Sequence, residues 1–533
     1  VVDYIVVGGG SAGCVTASRL SEDPGVSVVL IEQGPRDWNP FIHMPVTYYK
    51  TAKGNLLSRY TLAPVKQQGN ITPTMVQGRV LGGGSSVNAM VYIRGCPQDY
   101  DGWVAAGADG WSYREVLPFF KRAEDNERFS NEAHGTGGPL GVSDQRYTHP
   151  LTKAWLKACQ EAGLPFNPDF NSGSQAGCGL YQLTTRDGRR SSAAVAYLHP
   201  AEKRRNLTVK TSQQVTRILI EKGRAVGVEY VEGGRKVVLR AEREVILSSG
   251  AIGSPRLLLL SGIGPAEHLR SVGVPVAHDL KGVGRNLQDH MDMYMIYQLK
   301  TADSYDKYKK LHWQLWAGLE YALFRTGPVT SNVCEGGLFW WGHKSDPLPD
   351  LQYHFLPGAG VEAGVDDVPG GNGCTLNICQ TRPRSRGTIT LRSADPADQP
   401  VIDPNYLAEP YDMDCLIEGV KVAQDIMAKP AIKAFIAREH LPGRPLTTKA
   451  EYEAFVRKEA QGAIHPCGAC RMGTDDMAVV DPQLRVHGID GLRVADTSIM
   501  PNLISGNTNA PAIMIGERVA DFIRGNRAAQ EAA

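Results

Sequence analysis

Apolar residues gather toward both ends of this chain in short runs that stop at glycine or an acid. Tyr4, Ile5, Val6 and Val7 form the first. A run this short, bounded by turn residues, reads as a buried strand. Gly8-Gly9-Gly10-Ser11-Ala12-Gly13 follows, and residues 14–20 continue as a helix until Asp23-Pro24-Gly25 stops them. Residues 26–31 form a second strand that runs into Glu32. Strand, turn, helix, strand is the context that gives G-x-G-x-x-G its meaning. The first glycine permits the turn, the second lets backbone approach a pyrophosphate, and the third allows close helix packing. The helix N-terminus then presents amide dipoles to the phosphates. An acid at Glu32 suits an adenosine ribose with free hydroxyls. The motif predicts a bound dinucleotide and leaves flavin and nicotinamide both open.

Farther along, residues 77–88 make a second glycine-rich loop, suited to carrying more backbone amides toward a ligand. Period-two alternation at 206–210, 225–230 and 236–240 predicts an antiparallel insertion. Residues 244–250 then return as a buried strand, with a helix at 256–260. Between about 291 and 464 the text changes to aromatic-rich stretches such as Leu338-Phe339-Trp340-Trp341, strands at 351–355 and 388–391, and a helix at 414–427. Residues 491–496 read as one more strand ending in an acid, so the nucleotide unit is expected to be discontinuous.

The fold class that follows is mixed α/β: a Rossmann-like domain plus a second domain with a mostly antiparallel sheet and flanking helices. Residues 1–295 are expected to be mainly cofactor-binding, with excursions at about 40–75 and 145–195. Residues 296–464 are expected to be mainly substrate-binding, and residues 465–533 to carry the catalytic segment and the return to the first domain.

Composition narrows the partners. A chain of 533 residues exceeds one ordinary domain. Its 57 basic and 56 acidic side chains give a net charge of +1, which offers nothing to a polyanion, so nucleic acid is not expected. No apolar run approaches the roughly 20 residues that span a bilayer. Ten scattered cysteines point to a reducing compartment, the cytoplasm, with the periplasm left open should a leader have been removed.

Residues 78–95, 250–264, 282–290 and 506–511, with His465-Pro466-Cys467-Gly468-Ala469-Cys470-Arg471-Met472-Gly473, resemble the glucose-methanol-choline oxidoreductase family along essentially the whole chain. Within it, residues 41–45, 308–313 and 332–337 look most like bacterial L-sorbose dehydrogenases. The resemblance implies FAD. Gly8, Gly10, Ser11, Ala12 and Gly13 would hold the pyrophosphate, and Glu32 the ribose. Gly84, Asn88, Ala89 and Val91 would run beside the ribityl chain and isoalloxazine. Val215 would meet adenine through its backbone, and Asp496 and Thr497 the ribityl-pyrophosphate region.

For the reaction, the resemblance implies His465 as base and Asn509, 44 residues later, as its polar partner. Alcohol oxidation removes a hydroxyl proton and a hydride from one carbon. A histidine that titrates near 6.5 accepts the proton, and an amide stabilises the developing charge. Tyr353 and His354 stand next in line as substrate contacts, while His290 and His487 read as structural. Cys467 and Cys470 read as small apolar packing, and no metal site is expected.

The expected function is FAD-dependent oxidation of a primary or secondary alcohol, sorbose-like first, to an aldehyde or ketone. Alternatives are an alcohol oxidase, a choline- or polyethylene-glycol-type dehydrogenase and, from another class, a non-redox hydroxynitrile lyase. The electron acceptor stays open among quinone, dye and oxygen.

Overall fold

The computed structural model of the chain describes residues 1–51, 54–360 and 367–531. Val2–Val7 (β1) and Val28–Ile31 (β2) are apolar and become buried, so they need cover on both faces. They lie parallel at the centre of a seven-stranded sheet, with the crossover helix Ser11–Leu20 (α1) between them in sequence. Leu207–Lys210 (β3) extends the sheet beyond β2 in parallel register. Gln214–Glu221 (β4), Arg224–Glu232 (β5) and Arg235–Leu247 (β6) fold as an antiparallel meander, and the path runs β3-β2-β1-β6-β5-β4.

Four readings change here. The stretch at 206–210 belongs to the parallel core, because its partner is β2 and not the meander. The stretches at 236–240 and 244–247 are one strand: the first half of β6 pairs with β5, and its buried second half pairs with β1. β4 escaped the alternation because Ile218, Leu219 and Ile220 are consecutive, and its register slips between Leu219 and Ile220. The helix expected at 256–260 begins at Gly250 and runs Gly250–Leu260 (α2). In the 40–75 excursion, short helical turns lead into a hairpin of Leu57–Thr61 with Thr74–Gly78; positions 52–53 lie outside the described residues.

A second seven-stranded sheet is antiparallel throughout. Met291–Leu299 (β7) precedes the helix Leu311–Phe324 (α3). Gly336–Trp340 (β8), Leu351–Leu356 (β9) and Gly373–Gln380 (β10) follow. Pro410–Met427 (α4) covers one face, and Ile436–Leu441 (β11) completes the order β11-β7-β10-β9-β8. Gly177–Leu180, from far earlier in the chain, adds a strand beside β8, and Gln461–Gly462 pairs with β7.

The chain then returns. Leu492–Val494 (β12) pairs in parallel with β6, and Asn509–Glu531 (α5) packs on α1. The approach of α5 to α1 is close: a Cβ on Gly516 would stand 2.6 Å from the carbonyl oxygen of Ala12. Beside it, the buried Glu517 carboxylate takes Arg19 at 2.8 Å and Arg122 at 2.7 Å. First and last helices are thus fastened by both packing and charge.

Candidate active site

A cavity of about 490 Å³ lies where the two sheets meet, bordered by residues from both. That volume is ordinary for a small-molecule or cofactor site, roughly 300–1,000 Å³. Along one part of its wall run Gly8, Gly10, Ser11, Ala12, Glu32, Gly84, Asn88, Ala89, Val91, Val215, Asp496 and Thr497. The sequence motifs that were far apart converge on one hollow.

Three helix starts meet that wall: Ser11 of α1, Gly250 of α2 and Asn509 of α5. Their unpaired amides and dipoles suit an anion such as a pyrophosphate. The glycine loop is held tightly, since Gly8 stands at φ 101° and a Cβ there would reach 2.4 Å from the Ser248 carbonyl oxygen. Gly84 and Gly250 have open space where a Cβ would sit, so larger residues would fill the cavity. Gly13 does not reach it. A Cβ on Gly13 would lie 1.9 Å from the Gly8 carbonyl oxygen, so its work is the close helix packing and not ligand contact. Glu32 accepts the Gly9 and Gly34 amides at 2.7 Å each, and burial raises its pKa. Asp496 accepts the Gly250 amide at 3.0 Å and the Ser254 hydroxyl at 2.5 Å, pinning the start of α2 to the wall.

His465 enters the cavity from the other side, on a segment zipped to residues 288–290. Backbone bonds join Gln288 to Cys467 in both directions, at 2.9 and 3.0 Å, and the Ala463 amide donates to the His290 carbonyl at 2.8 Å. Asp289 accepts the His465 amide at 2.7 Å and the Tyr406 hydroxyl at 2.6 Å; burial pushes its carboxyl up to about 7. Immediately before the histidine, Ile464 stands at φ 64°. A β-branched residue in the left-handed region costs on the order of 1–3 kcal/mol, so the surrounding bonds must hold it there.

The hydrogen bonds around His465 define its tautomer. His290 Nε2 lies 3.0 Å from the Ile504 carbonyl oxygen, which only accepts, so that nitrogen carries hydrogen. Burial lowers the His290 pKa to about 4, leaving the ring neutral and Nδ1 an acceptor. Its Nδ1 sits 3.1 Å from His465 Nδ1, which therefore donates. His465 Nε2 is left unprotonated, an acceptor. It faces Asn507 Nδ2 at 3.2 Å, while Asn507 Oδ1 accepts from Gln352 at 3.1 Å, so the amide N–H points at the imidazole. Burial first, then the neighbouring His290 and His354 rings, hold the His465 pKa well below its ordinary value.

The amide beside His465 is thus that of Asn507, two residues before the expected Asn509. Asn509 is the first residue of α5, and its side chain turns to the glycine loop, where Oδ1 accepts the Ser11 hydroxyl at 2.9 Å. Its Nδ2 is buried with no protein partner, although the residue borders the cavity. Tyr353 is also excluded. Neighbours in a strand point to opposite faces, and the Tyr353 hydroxyl donates to the Gly419 carbonyl in α4 while His354 faces the cavity. His354 Nδ1 lies 3.0 Å from Asn377 Oδ1, and Asn377 donates to Asp292 at 2.9 Å. His487 binds the Gly473 carbonyl, away from this network. Cys467 and Cys470 are free, fully buried thiols whose pKa values burial raises.

Sequence reasoning missed Asn507 and undervalued His290. Both stood inside phrases already singled out, two residues from Asn509 and at the end of residues 282–290.

Two family models for GMC oxidoreductase match residues 2–292 and 383–516. The chain is a GMC oxidoreductase. It is 43% identical over 526 residues to an alcohol dehydrogenase [acceptor] of Pseudomonas putida, covering 98% of this chain and 95% of that one. It is 42% identical over 528 residues to an oxygen-dependent choline dehydrogenase of Sinorhizobium medicae, covering 98% and 96%. Among solved structures, pyridoxine 4-oxidase from Mesorbium loti superposes with a TM-score of 0.89 at 31% identity, covering 98% and 99%. Formate oxidase of Aspergillus oryzae gives 0.93 at 27% identity, with 98% of each chain covered. The cofactor of this GMC oxidoreductase is FAD, and the chain fits it: three helix starts, two glycines with open space toward the hollow and the unpartnered Asn509 amide all stand on one wall. Among the described residues, no helix is long and apolar enough to cross a membrane.

Proposed function

We propose that this GMC oxidoreductase oxidises a primary or secondary alcohol to the aldehyde or ketone, with His465 as base and Asn507 as its polar partner. The observation that carries the reading is the unprotonated Nε2 of His465, which accepts the Asn507 amide N–H in the cavity wall until a substrate hydroxyl takes that N–H's place. A neutral imidazole in that tautomer takes the hydroxyl proton at Nε2. The Asn507 N–H then donates to the oxygen from which the proton has left, and needs no ionisation of its own to do so. His290 takes no proton in this scheme; it holds the tautomer. Bound FAD supplies the hydride acceptor.

Asn509 moves from substrate to cofactor in this scheme: its free Nδ2, next to Ser11, serves the bound FAD. Gly8, Gly10, Ser11 and Ala12 hold the pyrophosphate, with Asp496 and Thr497 nearby, and Glu32 and Val215 serve the adenosine end. Gly84, Asn88, Ala89 and Val91 line the flavin end. The division into a cofactor-binding part, residues 1–295 and 465–533, and a substrate-binding part, residues 296–464, belongs to the same proposal, with Gly177–Leu180 lent to the second sheet.

A sorbose-like polyol and the simple and choline-like alcohols suggested by the names of the relatives are the substrate candidates. The structural neighbours, a pyridoxine 4-oxidase and a formate oxidase, favour a second reading, an oxidase. A panel of alcohols with a dye acceptor, run with and without oxygen, separates these readings: peroxide formed without dye marks the oxidase. No flavin bleaching by any alcohol, together with cyanohydrin cleavage, would replace both with the lyase.

A further inference from the structure

Most large apolar side chains of α3 are exposed. Its sequence, Leu-His-Trp-Gln-Leu-Trp-Ala-Gly-Leu-Glu-Tyr-Ala-Leu-Phe, buries just Ala317 and Tyr321, which pack on Met44, Val46, Tyr308 and Val329. Leu311, Leu315, Trp316, Leu319, Leu323 and Phe324 are each between 53% and 69% exposed. Six side chains of this size, more than half bare, present on the order of 600 Å² of apolar surface. That reaches the top of the range for the largest patch on a soluble monomer.

Helical spacing shows how the patch is arranged. Leu311, Leu315, Leu319 and Leu323 form one row at intervals of four, opposite the anchoring pair Ala317 and Tyr321. Trp316 lies off that row to one side, so the apolar arc is wider than a single contact stripe. A second helix or a second copy of the chain would cover a stripe; a lipid phase covers the whole arc. Basic side chains flank the helix, with Lys307, Lys309 and Lys310 before it and Arg325 directly after it, and Glu320 is its one acid. Lys310 is exposed and has no acidic partner among the described residues, whereas Lys307 meets Asp303, and Lys309 meets both Asp306 and Asp367. Just ahead in sequence of Met44 and Val46, which pack beneath α3, Trp38 is 80% exposed and Phe41 37%, with Lys50 4.6 Å over the Phe41 ring. Tryptophan and lysine are the side chains that favour a membrane–water boundary. Fourteen residues make a helix about 21 Å long, too short to span a hydrocarbon core of about 30 Å but long enough to lie in its surface.

We propose that α3, with Trp38 and Phe41, docks this enzyme on a lipid bilayer surface, the helix lying in the plane of the interface. Tyr48 and Tyr49, on the turn that follows the supporting segment, line the cavity, so the docked face adjoins the site. This inference stands independently of the catalytic reading. The flavin-loaded enzyme is sedimented with vesicles of phosphatidylcholine containing about one third phosphatidylglycerol. The parent protein is expected to pellet with the vesicles, and brominated acyl chains to quench tryptophan fluorescence. The double variant Leu315→Ser/Leu319→Ser is expected to lose vesicle binding by at least about tenfold, with flavin content and turnover of a soluble alcohol retained. Parent protein that stays in the supernatant and escapes brominated-lipid quenching overturns the proposal. So does a folded double variant that binds like the parent, or a lipid-free dimer that the two substitutions dissolve.

Discussion

Replacing His290 with phenylalanine tests the tautomer argument at its root. His290 does not border the cavity, so the substitution leaves the substrate surface intact. It removes the acceptor 3.1 Å from His465 Nδ1 and leaves a buried N–H unsatisfied, which costs about 1–3 kcal/mol. Any tautomer or ring position that relieves this N–H takes Nε2 out of its acceptor placement beside the Asn507 N–H. The base-competent form is therefore disfavoured by that amount, a loss of about 5- to 150-fold in the limiting rate at 1.36 kcal/mol per tenfold. The assay is anaerobic bleaching of the flavin by a saturating alcohol, with flavin content and KM measured alongside. The expected result is a fall in limiting rate with KM within a few-fold of the parent, partly restored in His290→Gln, whose amide can both accept and donate. A fully flavinated phenylalanine variant that bleaches at the parental rate would refute the reasoning.

The two asparagines separate by readout. Asn507→Ala should slow flavin bleaching by about 100- to 1,000-fold, the scale of a lost oxyanion donor, whereas Asn509→Ala should bleach within about tenfold and lose FAD more readily on dilution; the reverse pattern would return Asn509 to the substrate. Cys467→Ala should leave turnover within a few-fold, since burial raises the thiol's pKa and it lies in the core, and a collapse like that of His465→Ala would show a redox thiol. Asp289 titrates near 7 in the fold against 3.8 ordinarily, so the native state binds the extra proton between those values. Its contribution to stability is full below pH 3.8, falls as pH rises to 7 and is flat above. Asp289→Asn should accordingly show a smaller drop in melting temperature from about pH 5 to pH 8 than the parent, and equal slopes would count against the shift.

The glycine loop at the cavity wall was legible from sequence because its residues act through backbone geometry, which glycine spacing records directly. Glu32 and the G-x-G-x-x-G turn needed no knowledge of tertiary structure. The substrate side was harder. Asn507 and Asn509 stand in the same phrase, and which one faces the base depends on α5 beginning at Asn509, a boundary that sequence patterns place within a few residues at best. Tyr353 and His354 could not be ranked before the pleat of β9 was known. His290 was invisible for a different reason: its partners, Ile504 and His465, lie more than 170 residues away, and nothing local marks a histidine as a keeper of another's tautomer.

The clasp between the first and last helices also bears on how the enzyme is made. A ribosome adding about 5–20 residues per second delivers α5 about 25–100 s after α1. Throughout that interval the face of α1 that Gly516 will cover is bare, and β6 lacks its neighbour β12. Asn509 borders the same hollow, so the cavity as a whole is complete only once α5 has been made. Until α5 and β12 are in place, the unfinished first domain exposes apolar surface of the kind that chaperones, proteases and like chains recognise.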